Sequence, residues 1–375
     1  MKVAIITPFP PYRGGISKHS ENLYKELRNS SIDTTVLNFT RQYPGIFFPG
    51  ENQYLNNFTR YDSKHIIRVI DSINPISWRK TAKIIIDKKI NRLIFRYWNP
   101  FFIPCYIYII KYLRRKKHNI KIYSICDNIT SHETFYLQKY FIRKFIKLLD
   151  GVITMSTHVK KQMIDLVGEV NCKDLFLPIV NDLGEKIDIS LAKKKLHLDT
   201  NKVTFLFFGL IREYKGLDIL LEAINRIDKN LCQNYELLIV GESYVDINKY
   251  KKILDSDLHE NINWYNKYIP DEFINLYFSA SNYVVLPYRS GSQSGIIPIA
   301  YYYNKPVIAS NVNGLVEFIN ENTGLIFENE NIKELASILE NCIKNYNSDL
   351  FKNMDTMKNK LSTSNYTKEI LEFIK

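Results

Sequence analysis

The apolar positions of the chain follow two alternating rhythms. Short runs rich in Val, Ile, Leu and Phe recur at residues 2–6, 34–39, 84–90, 92–95, 121–125, 151–155, 204–208, 235–240, 283–286 and 306–310. Runs of this length, flanked by polar turns, read as strands buried on both faces of a parallel sheet. Between them apolar residues return at helical spacing, as at Leu217, Leu220, Leu221 and Ile224. The alternation predicts an α/β chain with parallel sheets and helices on both faces, whose ligands sit beyond the carboxyl ends of the strands.

The rhythm breaks once. Residues 175–188, LFLPIVNDLGEKID, hold Pro and Gly around a polar centre without periodicity, which marks a linker. Residues 151–155 read as the last strand before it, with Ser156 and Thr157 capping the next helix. A length of 375 residues also suggests two domains. We divide the chain into residues 1–182, residues 183–355 and a C-terminal helix at 356–375.

Composition narrows the class. Hydrophobic residues make up 45% of the chain, enough for two cores, while a net charge of +12 asks for an anionic partner. Nucleic acid, an anionic membrane surface and anionic small substrates all satisfy it. Nucleic acid is the least favoured, because the cations form no stripe with interleaved aromatics and no known binding motif occurs. No stretch reaches the roughly 20 apolar residues of a membrane helix; residues 101–110 are interrupted by Pro104. The basic run that follows, KYLRRKKH at 111–118, either complements a helix dipole or lies on a membrane surface. The N-terminus lacks signal-peptide features, and five scattered cysteines form no C-x-x-C pair. A cytoplasmic location, peripheral on the inner face of a membrane at most, is expected.

Three loops at strand ends carry candidate chemistry. Residues 205–224 read strand, loop, helix, with Arg212 and Lys215 in the loop beside the N–H groups of a helix start, an arrangement that holds phosphate or diphosphate. Tyr288 to Gly295, YRSGSQSG, places Ser292, Gln293, Ser294 and Gly295 before another helix start. Small residues there leave backbone donors free, and Gln293 can donate and accept. Near the N-terminus Gly14 and Gly15 join a strand to a helix and let a ligand approach the backbone; the spacing is not a dinucleotide fingerprint. Asp255-Ser256-Asp257 has the form of a metal-binding D-x-D but follows a basic amphipathic segment, so it reads as a solvated helix end. With no clustered ligands elsewhere, no metal or other cofactor is expected.

The string G-x-x-R-x-x-K-G followed by L-x-x-L-L-x-A, together with PVIAS at 306–310 and G-L-x-E ending at Glu317, resembles the donor domain of family 4 glycosyltransferases. The resemblance implies the GT-B fold, two Rossmann-like domains facing across a cleft, with the C-terminal helix crossing back to the first. The sequence CDNITSHE at 126–133 is similar to the family's H-N-x-x-P-H-E site, keeping Asn128, His132 and Glu133 and placing Asp127 where the first His stands. Many members carry two glutamates eight positions apart; here those positions are Gly291 and Ile299, and an S/T-Q-S-G sub-group matches Ser292 to Gly295 instead.

The resemblance implies a retaining transferase moving sugar from a UDP or GDP donor to a hydroxyl of a lipid-linked glycan, in surface polysaccharide synthesis. Arg212, Lys215, His132 and Asp127 are its candidate catalytic residues. Gly14, Gly15, Asn128, Gly209, Gly241, Ile269, Ser292, Gln293, Ser294, Gly295 and Glu317 are its candidate donor contacts. A sugar-nucleotide epimerase, a phosphorylase and a donor binder without turnover remain as rivals, and a nucleic-acid-binding protein stands as the reading from another class.

Overall fold

The structure, a computed structural model, describes residues 1–43, 54, 64–129, 136–180, 183–346 and 354–375. It divides into two compact units, Met1–Val180 with Ser362–Lys375, and Asn181–Leu361.

The first unit opens with β1 (Lys2–Ile6), α1 (Gly15–Asn29), β2 (Asp33–Arg41), β3 (Ile66–Asp71), α2 (Pro75–Asp87) and β4 (Arg92–Tyr97). It continues with α3 (Ile103–Arg115), β5 (Lys121–Cys126), α4 (Tyr136–Ile146), β6 (Gly151–Thr154), α5 (Thr157–Val167) and β7 (Cys172–Asp174). All pairs are parallel, in the order β3-β2-β1-β4-β5-β6-β7. Caps begin several helices as their sequences specify: the Asn74 side chain accepts from Ile76 N ahead of Pro75, and Ser156 accepts from Val159 N.

Two sequence expectations change here. Residues 84–90 are not a strand but the C-terminal part of α2 and its turn, because the helical pattern extends back to Pro75. Residues 151–154 are not the last strand, since β7 pairs with them at the sheet edge. A three-residue strand of Cys, Lys and Asp has no apolar run to betray it.

The second unit repeats the plan with α6 (Ile189–Lys195), β8 (Val203–Phe208), α7 (Leu217–Ile224), β9 (Tyr235–Val240), α8 (Ile247–Lys251), β10 (Ile262–Tyr265) and α9 (Asp271–Ala280). Then come β11 (Tyr283–Leu286), α10 (Ile296–Tyr302), β12 (Val307–Ser310), α11 (Asn313–Val316), β13 (Gly324–Phe327), α12 (Ile332–Lys344) and α13 (Asp355–Lys360). Its sheet is also parallel, ordered β10-β9-β8-β11-β12-β13. Every residue of β8, β9, β11 and β12 is buried, as expected for strands covered on both faces.

The last helix, α14 (Thr363–Ile374), belongs to the first unit, where it packs beside α1. Tyr366, Ile370 and Ile374 are buried there. Arg92 of β4 donates to the carbonyls of Ile374 and Lys375, at 2.5 and 2.6 Å.

Candidate functional site

Both sheets reverse strand order at one point, between β1 and β4 in the first unit and between β8 and β11 in the second. At such a point the loops leaving two neighbouring strands run to opposite faces and open a crevice between them. In the second unit these are the loops of Arg212 and Lys215 and of Ser292 to Gly295.

The chain turns sharply after β8 at Gly209, φ 98°, a conformation costly for any residue with a Cβ. A Cβ on Gly241 would lie 2.1 Å from Gly209 O, so the loops after β8 and β9 meet backbone to backbone. Ile211 N donates to Glu242 O at 2.9 Å and Tyr244 N to Ile211 O at 3.1 Å. Residues Glu213–Lys215 form one 3-10 turn, and Gly216, φ 65°, opens α7. A Cβ at Gly216 would stand 1.9 Å from Pro287 O, which is how closely the loop after β11 approaches.

Lys215 is only 8% exposed. Its Nζ lies against Gly209, 3.0 Å from where a Cβ would be, and 5.5 Å from the Tyr288 ring centroid. Among the described residues no carboxylate pairs with it. Burial lowers its pKa from the usual lysine value, and the Arg212 charge acts in the same direction while Tyr214 opposes. Arg212 is exposed, with its guanidinium 5.2 Å over the Tyr244 ring.

The second loop is stapled to the first. Arg289 donates to the Asp218 carboxylate at 2.8 and 2.6 Å, to Glu213 O at 3.0 Å and to Glu330 at 2.8 Å. Its backbone N–H donates to Tyr214 O at 2.8 Å. Tyr288 bridges inward, since its buried hydroxyl, pushed up to about 12 by burial, bonds with Ser294. Ser294 is itself buried and accepts from Ile296 N. Gly314 backs onto the same loop, where a Cβ would come within 2.4 Å of Gly291 O.

The structure thus brings together Gly209, Arg212, Lys215, Gly241 and Ser292 to Gly295. Glu317 is exposed just past α11, and Ile269 is buried between β10 and α9 at the same edge of the sheet. Sequence reasoning missed Tyr244, Asp218, Tyr288 and Arg289, which hold the two loops in place. The available signal was Arg289 itself, a cation directly before the string of small residues. Asp257, by contrast, is exposed and paired with Lys229 at 2.9 Å.

In the first unit Gly14, φ 110°, caps α1, and Gly14 and Gly15 are exposed, with no atom of the described residues within 4 Å of an added Cβ. Asp127 follows β5 and is 4% exposed. It accepts from Arg96 Nε at 2.7 Å and from Arg96 Nη2, and Arg96 is also buried and bonded to Tyr366 of α14. Asn128 lies beside it at the strand end. His132 and Glu133 lie outside the described residues. His19, one helical turn beyond Gly15, faces the same region: burial and the Arg96 charge lower its pKa to about 3, so its imidazole is neutral. Its Nδ1 is sealed from solvent and has no hydrogen-bond partner among the described residues.

Comparison with known proteins follows this geometry. Residues 188–360 match the family model described as glycosyl transferases group 1. An uncharacterised glycosyltransferase of Methanocaldococcus jannaschii is 25% identical over 346 residues, covering 92% of this chain and 89% of that protein. An uncharacterised 41.2 kDa protein of the Klebsiella pneumoniae cps region is 25% identical over 244 residues, covering 64% of this chain and 65% of its own length. The structure is similar to that of Anabaena HepE in complex with UDP, with a TM-score of 0.74 at 15% identity over 99% of each chain. Residues 188–360 match the group 1 glycosyl transferase model, the two parallel sheets are each a Rossmann-like domain as in GT-B structures, and the chain is a transferase.

Proposed function

We propose that the protein is a retaining glycosyltransferase that moves a sugar from a UDP- or GDP-sugar to a hydroxyl of a lipid-linked glycan, in the synthesis of a surface polysaccharide. One observation carries the donor site: Lys215 is a buried cation with no carboxylate partner among the described residues. A desolvated charge is costly unless an anion neutralises it, and the exposed Arg212 and the start of α7 face the same loop. A diphosphate supplies the missing charge. The similar structure with UDP and the relative encoded in a cps region support the donor class and the pathway.

In this reading the bond from the anomeric carbon to the diphosphate oxygen breaks, and the acceptor oxygen bonds to that carbon on the same face. The acceptor proton passes to the departing diphosphate. Lys215 and Arg212 stabilise the growing phosphate charge from fixed positions, and no step calls for a metal. Asp127, already engaged by Arg96, is given no covalent role. His132 as a catalytic residue and donor contacts at Gly14, Gly15, Asn128, Gly241, Ile269, Gln293 and Glu317 belong to the same proposal.

Calorimetric titration with UDP-, GDP- and ADP-sugars, with and without chelator, tests it. Binding of one nucleotide class, lost in Arg212→Ala and Lys215→Ala, is expected; binding that survives both substitutions overturns it. A second reading, donor binding without turnover, is favoured by the absence of acid at Gly291 and Ile299. It predicts full donor affinity with no release of nucleoside diphosphate in the presence of any acceptor extract.

A further inference from the structure

The charge of the chain is not spread evenly. Residues 72–149 hold 17 Lys and Arg against three Asp and Glu, while the rest of the chain holds 34 against 36. The whole positive excess therefore resides in one stretch of the first unit. That stretch contains α2, α3 and α4, which follow consecutive strands and pack side by side on one face of the sheet. Trp78 of α2 meets Tyr108 of α3 at 5.6 Å, and Tyr106 of α3 meets Phe145 of α4 at 5.7 Å.

Each helix turns a basic stripe outward. On α2 it is Arg79, Lys80 and Lys83, on α3 Lys111 and Arg115, and on α4 Lys139 and Lys144, all exposed. Among the described residues none of these forms a salt bridge. Neighbouring helices lie about 8–10 Å apart, so the stripes combine into one field. The opposite face of the same sheet, covered by α1 and α14, carries four cations and four carboxylates and is neutral.

Apolar side chains stand among the cations. Ile76, in the first turn of α2, is 78% exposed and Ile73 just before it 47%; on α4 Tyr140 is 54% exposed and Phe141 38%. Ile73 and Ile76 stand beside Arg79 and Lys80 at the start of α2. A bilayer accommodates both kinds of side chain, because aliphatic tips enter the acyl boundary while lysines and arginines meet anionic headgroups. Nucleic acid offers phosphates but no apolar phase for Ile73 and Ile76. Among the described residues no helix is long and apolar enough to cross a membrane, so the contact is with the surface.

We propose that the face formed by α2, α3 and α4 docks on an anionic lipid bilayer. The proposal stands apart from the donor site and does not depend on it. The test is co-sedimentation of the full chain with vesicles of phosphatidylcholine alone and with 30% phosphatidylglycerol, in about 50 and 300 mM salt. Binding to the anionic vesicles only, weakened by salt, is expected. Each cation near the surface contributes about fivefold, so Arg79→Glu/Lys80→Glu/Lys83→Glu lowers binding at least tenfold. Ile76→Ser lowers it while leaving the net charge of the face unchanged. Lys368→Glu, on the exposed side of α14, leaves it unchanged, and all variants keep the wild-type melting temperature. Equal binding to both vesicle types, equal loss in Lys368→Glu, or retention by polynucleotide that survives Ile76→Ser and outcompetes vesicles overturns the proposal.

Discussion

Arg289 and Asp218 join through two parallel hydrogen bonds, at 2.8 and 2.6 Å, and so fix the loop after β11 against the first turn of α7. Burial works against the Asp218 carboxylate, but Arg289 holds its pKa below the usual value. A depressed carboxylate contributes stability above its unfolded value of about 4 and loses it as pH falls through the folded value. Asp218→Asn is expected to cost about 1–2 kcal/mol at pH 7 in urea titration. The difference from wild type is expected to begin shrinking as pH falls past about 4, the unfolded value, and to close only below the folded value, where both side chains are neutral.

Lys215 sets stability against binding. Replacing a buried cation by an apolar chain of similar length removes a desolvation cost, so Lys215→Met is expected to stabilise the ligand-free protein by roughly 1 kcal/mol. The same variant is expected to lose nucleotide-sugar affinity by at least tenfold. Thermal melts with and without donor check both: the variant melts higher alone, and only wild type shifts upward on adding donor.

The glycines separate fold from function. Gly216→Ala places a Cβ 1.9 Å from Pro287 O at a positive φ and is expected to cost more than about 2 kcal/mol. Gly15→Ala meets no atom within 4 Å and lies at the start of α1. Its melting temperature is expected to stay the same or rise, while transfer activity falls about tenfold if substrate passes over the bare turn. Unchanged kcat/KM in Gly15→Ala removes that turn from the substrate path.

Asp127 can be read as a pair or as a nucleophile, and the two differ in outcome. Asp127→Ala leaves Arg96 charged and buried, which is expected to cost about 3–5 kcal/mol. Asp127→Asn keeps a hydrogen bond to Arg96 and is expected to retain measurable turnover at temperatures below its melt. An Asn variant that melts like wild type and has no turnover assigns chemistry to the carboxylate.

The parallel sheets were legible because buried strands such as β8 and β11 are continuous apolar runs, and so was the turn after β8, whose glycines and cations sit close in sequence. β7 was not legible, since its pairing with β6 comes from position at an edge and not from composition. The Arg289 and Asp218 pair spans 71 positions and was hidden for the same reason: which carboxylate a cation finds depends on strand order, and strand order is not local. Asp127 drew attention by its place at a strand end, but only the fold shows that Arg96, one strand over, engages it.

The return of α14 to the first unit has a temporal meaning. Residues 1–180 leave the ribosome while the 181 residues of the second unit are still to be made, a wait of about 10–40 s at ordinary elongation rates. Throughout it the surface that Tyr366, Ile370 and Ile374 later cover is wet, and Arg96 has Asp127 but not Tyr366. The first unit to emerge is therefore the last to be finished.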